Sequence, residues 1–379
     1  MRLIMSLVLL SAVACVAEAG EVELPKTLAW TAYNLGTTGY NQAVAIGKVL
    51  KDEYNVTLRV VPGKNDISRL VPLVKGRVQF SANGMATYFA QEGVFQFEHE
   101  NWGPLKVRLV LSSNGDSNQS LAVAADTGIT HPSELKGRRV PYVRGAPALN
   151  VAVEAFLACG NLGWEDVKRV DFPGYNSMWN GIVNGHVDAA FANTVSGPAR
   201  KLEASPRGIK WLEIPHDDKG CIERLLKIAP YFTLHVATRG AGITAERPNV
   251  GVTYPYPLLI GLDSTDETLV YSMIQVIHKH YDAFKNADPG AIGWAMDRQP
   301  LSYVVPYHAG AVRYLKEIGV WSEANESNNQ RLLERQRVLS DAWTRHKQNE
   351  FSSGDVFQLT WRSSRVAALE AAGFDPVWR

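Results

Sequence analysis

The chain has 379 residues, which is enough for two domains, and 46% of them are hydrophobic, as expected of a globular protein with a sizeable core. It carries 39 Lys and Arg against 38 Asp and Glu, so its formal net charge is +1. This balance argues against a nucleic-acid binder, which needs a concentrated basic surface. It also argues against a highly charged, disordered chain.

The first segment, residues 1–19, has the pattern of a secretory signal peptide. Arg2 is followed by the apolar run 3–16, and the small residues of 17–19 stand ahead of Gly20. The run is too short to span a bilayer. Acylation of Cys15, as in a lipoprotein, is the less favoured alternative because the usual leucine three positions ahead is missing. We expect export to the periplasm and no membrane span in the mature chain.

Strand and helix patterns alternate directly after this segment. Residues 28–32 form a short apolar run typical of a buried strand, and a turn-rich stretch follows at 34–39. Apolar residues then recur at helical spacing from Ala43 to Leu50. The next segments predict a strand at 56–60, a helix at 67–74 and a strand at 78–82. Such alternation favours a parallel sheet covered by helices.

The same succession starts again further along and predicts a second lobe. Its strands are expected at 121–125, 139–143 and 187–192, and its helices at 149–156 and 178–183. We therefore predict an α/β fold of two lobes, each a mostly parallel sheet flanked by helices. The expected divisions are a first lobe at 20–118, a second lobe at 119–250, a crossover and return to the first lobe at 251–320, and a helical C-terminal extension at 321–379.

Two segments of the predicted lobes resemble each other. Residues 75–83 and 184–193 each read as a helix end, a glycine, a strand led by valine and a final Ala-Asn pair. The pairs end in Asn83 and Asn193. Because ligands of open α/β sheets bind at the carboxyl ends of the strands, both asparagines are candidate ligand contacts.

Two loops between a strand and a helix are further candidates. The 34–41 turn exposes backbone N–H groups beside a helix N-terminus, and Thr37 and Thr38 add hydroxyl donors. An ordinary βα turn explains the same residues equally well. In the 144–148 loop, Arg144 is suited to a bidentate pair with a carboxylate. The alternative for Arg144 is an exposed charge near a turn.

No catalytic or metal-binding constellation is found in the sequence. It has no G-x-S-x-G elbow, no H-E-x-x-H and no C-x-x-C. His278 and His280 would point to different faces of a helix. We therefore predict neither an enzyme nor a cofactor or metal. Cys159 and Cys221 remain in the mature chain, either as a disulfide or as two buried thiols.

Several of these segments together resemble a known family. Residues 126–140 and 187–191 are similar to two of its regions, and the stretch from His308 to Gly319 is its most specific match. The chain in this respect resembles the solute-binding subunit of a TRAP (tripartite ATP-independent periplasmic) transporter of the TAXI type. That resemblance implies a two-lobed periplasmic-binding-protein fold that closes on a small organic acid and delivers it to TRAP membrane subunits for uptake driven by an ion gradient.

The resemblance also implies a ligand site in the cleft. The carboxylate would meet Thr37, Thr38 and Asn41 from one lobe and Arg144 from the other. The full set of candidate ligand-binding residues is Asn34, Thr37, Thr38, Tyr40, Asn41, Asn83, Arg144, Tyr175, Trp179, Asn193 and Thr194. If Arg144 holds the carboxylate, its removal should cost about 2–5 kcal/mol of affinity. The chain departs from the family at Tyr40 and at 145–148, where glycine and hydroxyl residues are usual.

Three alternatives to this function stay open at the level of sequence. An ABC-importer receptor for a heteroaromatic or sulfonate ligand uses a similar two-lobed plan. A periplasmic hydrolase belongs to a different class and would convert its ligand. A sensor coupled to a chemoreceptor would use the same binding chemistry without transport.

Overall fold

The fold is taken from a computed structural model that describes residues 20–379. The predicted signal peptide, with Cys15, lies outside the described residues. Within 20–379 we find no helix that combines the length and the hydropathy needed to cross a bilayer.

Twelve strands and twelve helices are formed by the described part of the chain, joined in places by short 3-10 turns. The strands are β1 (Thr27–Ala32), β2 (Thr57–Pro62), β3 (Phe80–Asn83), β4 (Val107–Ser112), β5 (Gln119–Ala124), β6 (Arg139–Val143), β7 (Lys168–Phe172), β8 (Ala189–Asn193), β9 (Ile209–Trp211), β10 (Thr233–Ala237), β11 (Asn249–Thr253) and β12 (Leu258–Leu262). The helices are α1 (Thr38–Tyr54), α2 (Asp66–Val74), α3 (Ala86–Glu92), α4 (Pro147–Cys159), α5 (Tyr175–Val183), α6 (Gly197–Glu203), α7 (Lys219–Ile228), α8 (Glu267–Lys279), α9 (Tyr281–Phe284), α10 (Ala309–Glu317), α11 (Glu323–His346) and α12 (Gly354–Ala371).

The first lobe is a five-stranded sheet in the order β2-β1-β3-β12-β4. β1 pairs in parallel with β2 and β3, whereas β12 runs antiparallel to β3 and β4. Leu28 and Trp30 alternate on one face of β1 and are buried, as are Leu109 and Leu111 on β4. Their burial against the helices of this lobe supplies the apolar area that stabilises it.

The second lobe repeats this layout with a different part of the chain. β5 pairs antiparallel with β8 and β9, and β6 pairs in parallel with β7. The N–H of Asp188 donates to the carbonyl of Arg139 at 2.9 Å, which joins β8 to β6. The second lobe thus has a three-stranded sheet in the order β8-β5-β9 and, beside β8, the pair β6-β7.

The predicted fold class, a two-lobed periplasmic-binding-protein fold of the α/β type, is confirmed. The sheets are mixed rather than mostly parallel, because β12 and β5 enter each sheet against the direction of their neighbours. The two asparagines of the repeated segments end β3 and β8. The helices α8 and α9 follow each other directly, with His280 between them.

Two chain segments cross between the lobes and lie side by side. One follows β4 and the other precedes β12. The N–H of Tyr256 donates to the carbonyl of Ser113 at 2.6 Å, and the N–H of Ser113 donates to the carbonyl of Pro257 at 2.8 Å. Further along, Thr253 Oγ1 donates to the carbonyl of Ser117 at 2.8 Å. These hydrogen bonds make the crossover a paired hinge.

Cys159 and Cys221 form a disulfide, which decides between the two alternatives left by the sequence. It joins the last residue of α4 to the first turn of α7 inside the second lobe. The neighbouring Arg224 donates to the carbonyls of Ala158 and Cys159 at 2.8 and 2.7 Å, and so satisfies acceptors at the end of α4.

The C-terminal helices α11 and α12 pack on the first lobe. Glu92, at the end of α3, is fully buried and pairs with Arg335 of α11 and Arg365 of α12 at 2.7 and 2.8 Å. After α12 the chain reaches the second lobe, where Trp378 Nε1 donates to the carbonyl of Ile228 at 3.1 Å. The extension is therefore attached to both lobes.

Candidate functional site

The two lobes close on a narrow cavity at the carboxyl ends of their strands. Its volume is about 40 Å³. Its aromatic walls are Tyr33, Tyr175, Phe191, Tyr254 and Tyr256, and its polar and charged groups are Thr37, Lys64, Asn65, Asp66, Arg69, Gln119 and Asn193. The cleft is therefore closed, small and largely aromatic.

Hydrogen bonds between the lobes hold it closed along the N-terminus of α2. Asp66 Oδ2 accepts from the N–H of Ala148 at 2.9 Å, and Asn65 Nδ2 donates to the carbonyl of Arg144 at 3.0 Å. The N–H of Ile67 donates to the carbonyl of Gly145 at 3.2 Å. Gly145 has a φ of 69°, and a Cβ there would lie 2.8 Å from Asn65 Nδ2. Glycine thus permits both the turn and the close approach.

Local sequence explains why α2 presents these groups. Asn65 is the N-cap: its Oδ1 accepts from the N–H of Ser68 at 2.8 Å, and Ser68 Oγ accepts from the N–H of Asn65 at 3.0 Å. This capping box fixes the first turn of the helix. Asp66 and Arg69 are three residues apart, so their side chains share one helix face.

The charged centre of the cavity is the pair formed by Asp66 and Arg69. Both side chains are about 95% buried and in direct contact. Arg69 also donates from Nε to Asn83 Oδ1 at 3.1 Å, and its guanidinium lies 3.9 Å from the centre of the Tyr33 ring. Burial raises the pKa of Asp66, while Arg69 and the N–H of Ala148 oppose that rise. The pair adds no net charge to the cavity.

Two fully buried polar atoms at the cavity have no hydrogen-bond partner among the described residues. They are the hydroxyl of Tyr33 and the amide nitrogen of Gln119, whose side chain is only 2% exposed. Burial raises the pKa of Tyr33, so its hydroxyl is protonated and able to donate. Unpaired buried donors cost free energy. A ligand that accepts hydrogen bonds from both would remove that cost.

Three of the candidate residues from the sequence line this cavity: Thr37, Tyr175 and Asn193. Thr37 Oγ1 donates to the carbonyl of Asn34 at 2.7 Å, so Asn34 is connected to the cavity through the side chain of Thr37. Tyr175 shares a hydrogen bond of 2.9 Å with Ser196 Oγ. Asn83 contacts the cavity through Arg69, as described above.

Arg144 is placed differently from the sequence-based expectation. Its side chain is 73% exposed and pairs through Nε with Asp171 Oδ2 at 3.2 Å. The parallel pairing of β6 with β7 brings Asp171 beside it, since the N–H of Arg144 donates to the carbonyl of Phe172 at 2.9 Å. Only the backbone of Arg144 takes part in closure. Its guanidinium is not among the groups that line the cavity, and its expected contact with a ligand stays a prediction.

The remaining candidates have structural surroundings outside the cavity. Trp179 is 1% exposed in the core of the second lobe, and Tyr40 packs against the core of the first. Asn41 donates to Asp288 at 3.3 Å. Thr194 Oγ1 accepts from the N–H of Asn118 and donates to the carbonyl of Arg239, both at 3.1 Å. Thr38 is buried, and its hydroxyl has no partner within 20–379.

Sequence reasoning missed the central groups of the cavity. Asp66 and Arg69 resemble an ordinary first turn of a helix, and Gln119 lies within an apolar strand. A signal was present at Tyr254 and Tyr256, because two tyrosines separated by proline in the crossover segment are held rigidly.

Two similar α/β lobes, joined by a paired hinge and closed on a small cavity, form the architecture of the periplasmic-binding-protein fold. The sequence matches the NMT1-like family over residues 31–319, and the chain belongs to that family. No curated protein matches it.

Solved structures share the fold at low identity. The periplasmic aliphatic sulphonate binding protein SsuA from Escherichia coli is 12% identical, with 83% of this chain and 89% of that chain covered and a TM-score of 0.42. SsuA from Xanthomonas axonopodis pv. citri bound to MOPS is 13% identical, with 83% and 94% covered and a TM-score of 0.41. The amino acid ABC transporter substrate-binding protein AbpA from Streptococcus pneumoniae bound to L-arginine is 12% identical, with 69% and 96% covered and a TM-score of 0.42.

The family match overturns the resemblance to TAXI-type TRAP subunits. Two residues of the stretch from His308 to Gly319, which is the most specific part of that resemblance, have structural roles. His308 caps α10 by accepting from the N–H of Gly310 at 3.2 Å. A Cβ at Gly310 would lie 2.2 Å from the carbonyl oxygen of Glu267 on α8. Capping and tight helix packing thus account for His308 and Gly310.

Proposed function

We propose that this protein is the extracytoplasmic receptor of an ABC-type importer and that it captures a small, flat, heteroaromatic solute between its lobes. The observation that carries the ligand proposal is the chemistry of the cavity. Aromatic rings form its walls, its one buried ion pair is internally neutral, and its two unpaired groups are the Tyr33 hydroxyl and the Gln119 amide. Rings that stack on tyrosine and accept hydrogen bonds at their edges fit this arrangement.

A small carboxylate or sulfonate fits the same cavity less well. Arg69, the buried guanidinium, is already neutralised by Asp66. A second anion beside Asp66 would be repelled by that carboxylate, and the buried donors without a partner, Tyr33 and Gln119, are neutral. Lys64 also lines the cavity, but it is exposed. The buried charges therefore favour a neutral or weakly basic ring over an organic acid.

An ABC importer is the proposed partner because the family match removes the basis for an ion-gradient-driven TRAP system. Uptake of the identified ligand should then require ATP hydrolysis by the cognate importer. Loss of uptake on inactivating that ATPase supports the proposal. Unchanged uptake, or conversion of the ligand by the purified protein, contradicts it.

The ligand class is tested by a thermal-shift screen with three sets of compounds: neutral heteroaromatic rings, aliphatic sulfonates, and carboxylates that include amino acids. A ligand at 100 times its dissociation constant stabilises the folded state by about 2.7 kcal/mol. We expect stabilisation from the first set. Stabilisation from carboxylates alone would reject the proposed ligand.

The site itself is tested with Gln119→Leu. Because the Gln119 amide nitrogen has no partner among the described residues, this variant should keep the stability of the ligand-free protein and lose about 1–3 kcal/mol of ligand affinity. Gln299→Leu is the matched control. Its amide bonds the N–H and carbonyl of Ser112 at 3.0 and 2.8 Å, so it should lose stability instead.

A further inference from the structure

The first described residue, Gly20, is held by hydrogen bonds to α8. Its N–H donates to Tyr271 Oη at 3.0 Å, and its carbonyl accepts from Gln275 Nε2 at 2.7 Å. Three residues on, the N–H of Glu23 donates to Ser272 Oγ at 3.0 Å. The segment therefore lies along α8 in a fixed position.

Two acceptors beside Gly20 have no partner among the residues described. Tyr271 Oη donates to Glu317 Oε2 at 2.6 Å, which leaves Glu317 Oε1 buried and unpaired. Gln275 uses its amide nitrogen on Gly20, which leaves Gln275 Oε1 buried and unpaired as well. Buried acceptors without donors are rare and costly. This site therefore has a carboxylate oxygen and an amide oxygen available for additional N–H donors.

Cleavage of the chain supplies such donors. Residues 17–19 form the small-residue pattern that precedes a signal-peptide cleavage site. When water adds across the peptide bond between Ala19 and Gly20, Ala19 gains a carboxylate and Gly20 gains an α-ammonium. The nitrogen of Gly20 then carries three N–H groups in place of one.

We propose that the structure contains a built receptor for the processed N-terminus, in which the α-ammonium of Gly20 binds Tyr271 Oη, Glu317 and Gln275. Processing by a signal peptidase exchanges a neutral amide for a cation at this position. The cation pairs with the carboxylate of Glu317 and attaches the new N-terminus to α8 and α10. This inference goes beyond the proposed function and does not depend on it.

The surrounding charges favour a cation. The charged or titratable groups are Glu267, Tyr271, His278 and Lys279 on α8, Arg313, Tyr314, Lys316 and Glu317 on α10, and Glu21 and Glu23 on the segment itself. Lys316 pairs with Glu326 at 2.9 Å. Arg313 lies over the Tyr271 ring at 4.1 Å and pairs with Glu267 at 3.5 Å, so its charge is partly neutralised. His278 hydrogen-bonds Tyr314 Oη at 2.9 Å, and burial lowers the pKa of this histidine.

The first test is the identity of the mature N-terminus. The full chain is exported with its own leader, and its intact mass and first residue are determined. We expect Gly20 as the first residue. Any other first residue overturns the proposal.

The second test compares proteins that begin at Gly20 with proteins that begin at Ala19, both released from a cleavable fusion. A folded-state partner raises the pKa of an α-ammonium above its ordinary value of about 7.7–8.0, so the stabilisation is complete below about pH 7.7 and is lost as the pH rises through the folded-state value. At pH 6.5 the Gly20 form should melt roughly 2–3 °C above the Ala19 form. At pH 10 the difference in melting temperature between the two forms should be smaller.

The variant Glu317→Gln tests whether the difference in melting temperature comes from an ion pair between the α-ammonium of Gly20 and Glu317 or merely from the absence of Ala19. This variant should remove the difference between the two forms at pH 6.5, whereas Glu53→Gln, at an exposed position of α1, should keep it. A difference that persists in Glu317→Gln, or that is independent of pH, overturns the proposal.

Discussion

The carboxylate of Asp66, in the first lobe, accepts a hydrogen bond of 2.9 Å from the N–H of Ala148 at the beginning of α4 in the second lobe. The same carboxylate pairs with Arg69, which lines the cavity. The N-terminus of a helix favours a negative charge nearby. Closure of the lobes therefore places the N-terminus of α4 against the carboxylate of Asp66, which Arg69 already holds in position. Closure and the ligand site are thereby coupled through one side chain.

Replacing Asp66 should therefore open the cleft. Asp66→Asn keeps an acceptor for Ala148 but leaves Arg69 buried without a counter-charge, at a cost of about 3–5 kcal/mol in the closed state. We expect a larger radius of gyration in small-angle X-ray scattering of the ligand-free protein. Arg144→Ala is the control, because only the backbone of Arg144 bonds across the cleft. An unchanged radius for Asp66→Asn would contradict the coupling.

Local patterns predicted the lobes well because each unit is encoded by neighbouring residues. The valine-led strands that end in Asn83 and Asn193 have both the apolar period and the terminal amide within ten residues. The residues that cap the helices are likewise close to them in sequence. The packing of the helices against the sheet of each lobe follows from the alternation of strand and helix.

The site was less predictable because its contacts join distant parts of the chain. Asp66 and Ala148 are 82 residues apart, and they meet only when the lobes close. Arg144 is a second example. Its position beside a turn indicated a ligand contact, but a partner on the adjacent strand, Asp171, takes its charge. The acidic partner of a long cationic side chain depends on which strands pair, and the local sequence does not specify that pairing.

Stability should decrease between pH 7 and pH 5 because buried histidines are held neutral. Burial lowers the pKa of His308, as it does for His235 and His278. The unfolded chain takes up these protons at about pH 6.5, so the stabilisation is present above that pH and is lost as the pH falls through the folded-state values. Each such histidine contributes at most about 1.4 kcal/mol per pH unit.

His308→Asn tests this expectation while preserving the cap of α10, since asparagine is also a good N-cap. Urea unfolding at pH 7 and pH 5 should give a smaller loss of stability for the variant than for the parent. Equal losses would show that His308 does not contribute to the acid dependence.

Removal of the disulfide should destabilise the second lobe. Cys159 and Cys221 are separated by 62 positions, and closing a loop of that length restricts the unfolded chain by roughly 4 kcal/mol. Denaturant unfolding of the Cys159→Ala, Cys221→Ala double variant should show this loss. The parent protein treated with a thiol reductant should approach the same stability, and the double variant should not respond to the reductant. A loss below about 1 kcal/mol would contradict the entropic argument.

The C-terminal extension depends on a buried charge cluster. Glu92 is fully buried and receives hydrogen bonds from Arg335 Nε and Nη2, both at 2.7 Å, and from Arg365 Nη2 at 2.8 Å. These contacts keep the pKa of Glu92 below its ordinary value, against the opposing effect of burial. One carboxylate therefore holds both α11 and α12 on the first lobe.

Glu92→Gln should release these helices. The variant leaves two buried guanidinium groups without a carboxylate, so the free energy of unfolding should fall by about 3–5 kcal/mol. Limited proteolysis should then cut ahead of α11 or between α11 and α12 faster than in the parent. Glu334→Gln is the matched control, because Glu334 and Arg337 form an exposed pair worth at most about 1 kcal/mol. Equal proteolysis of the two variants would mean that apolar packing around Trp361, rather than the charge cluster, attaches the extension.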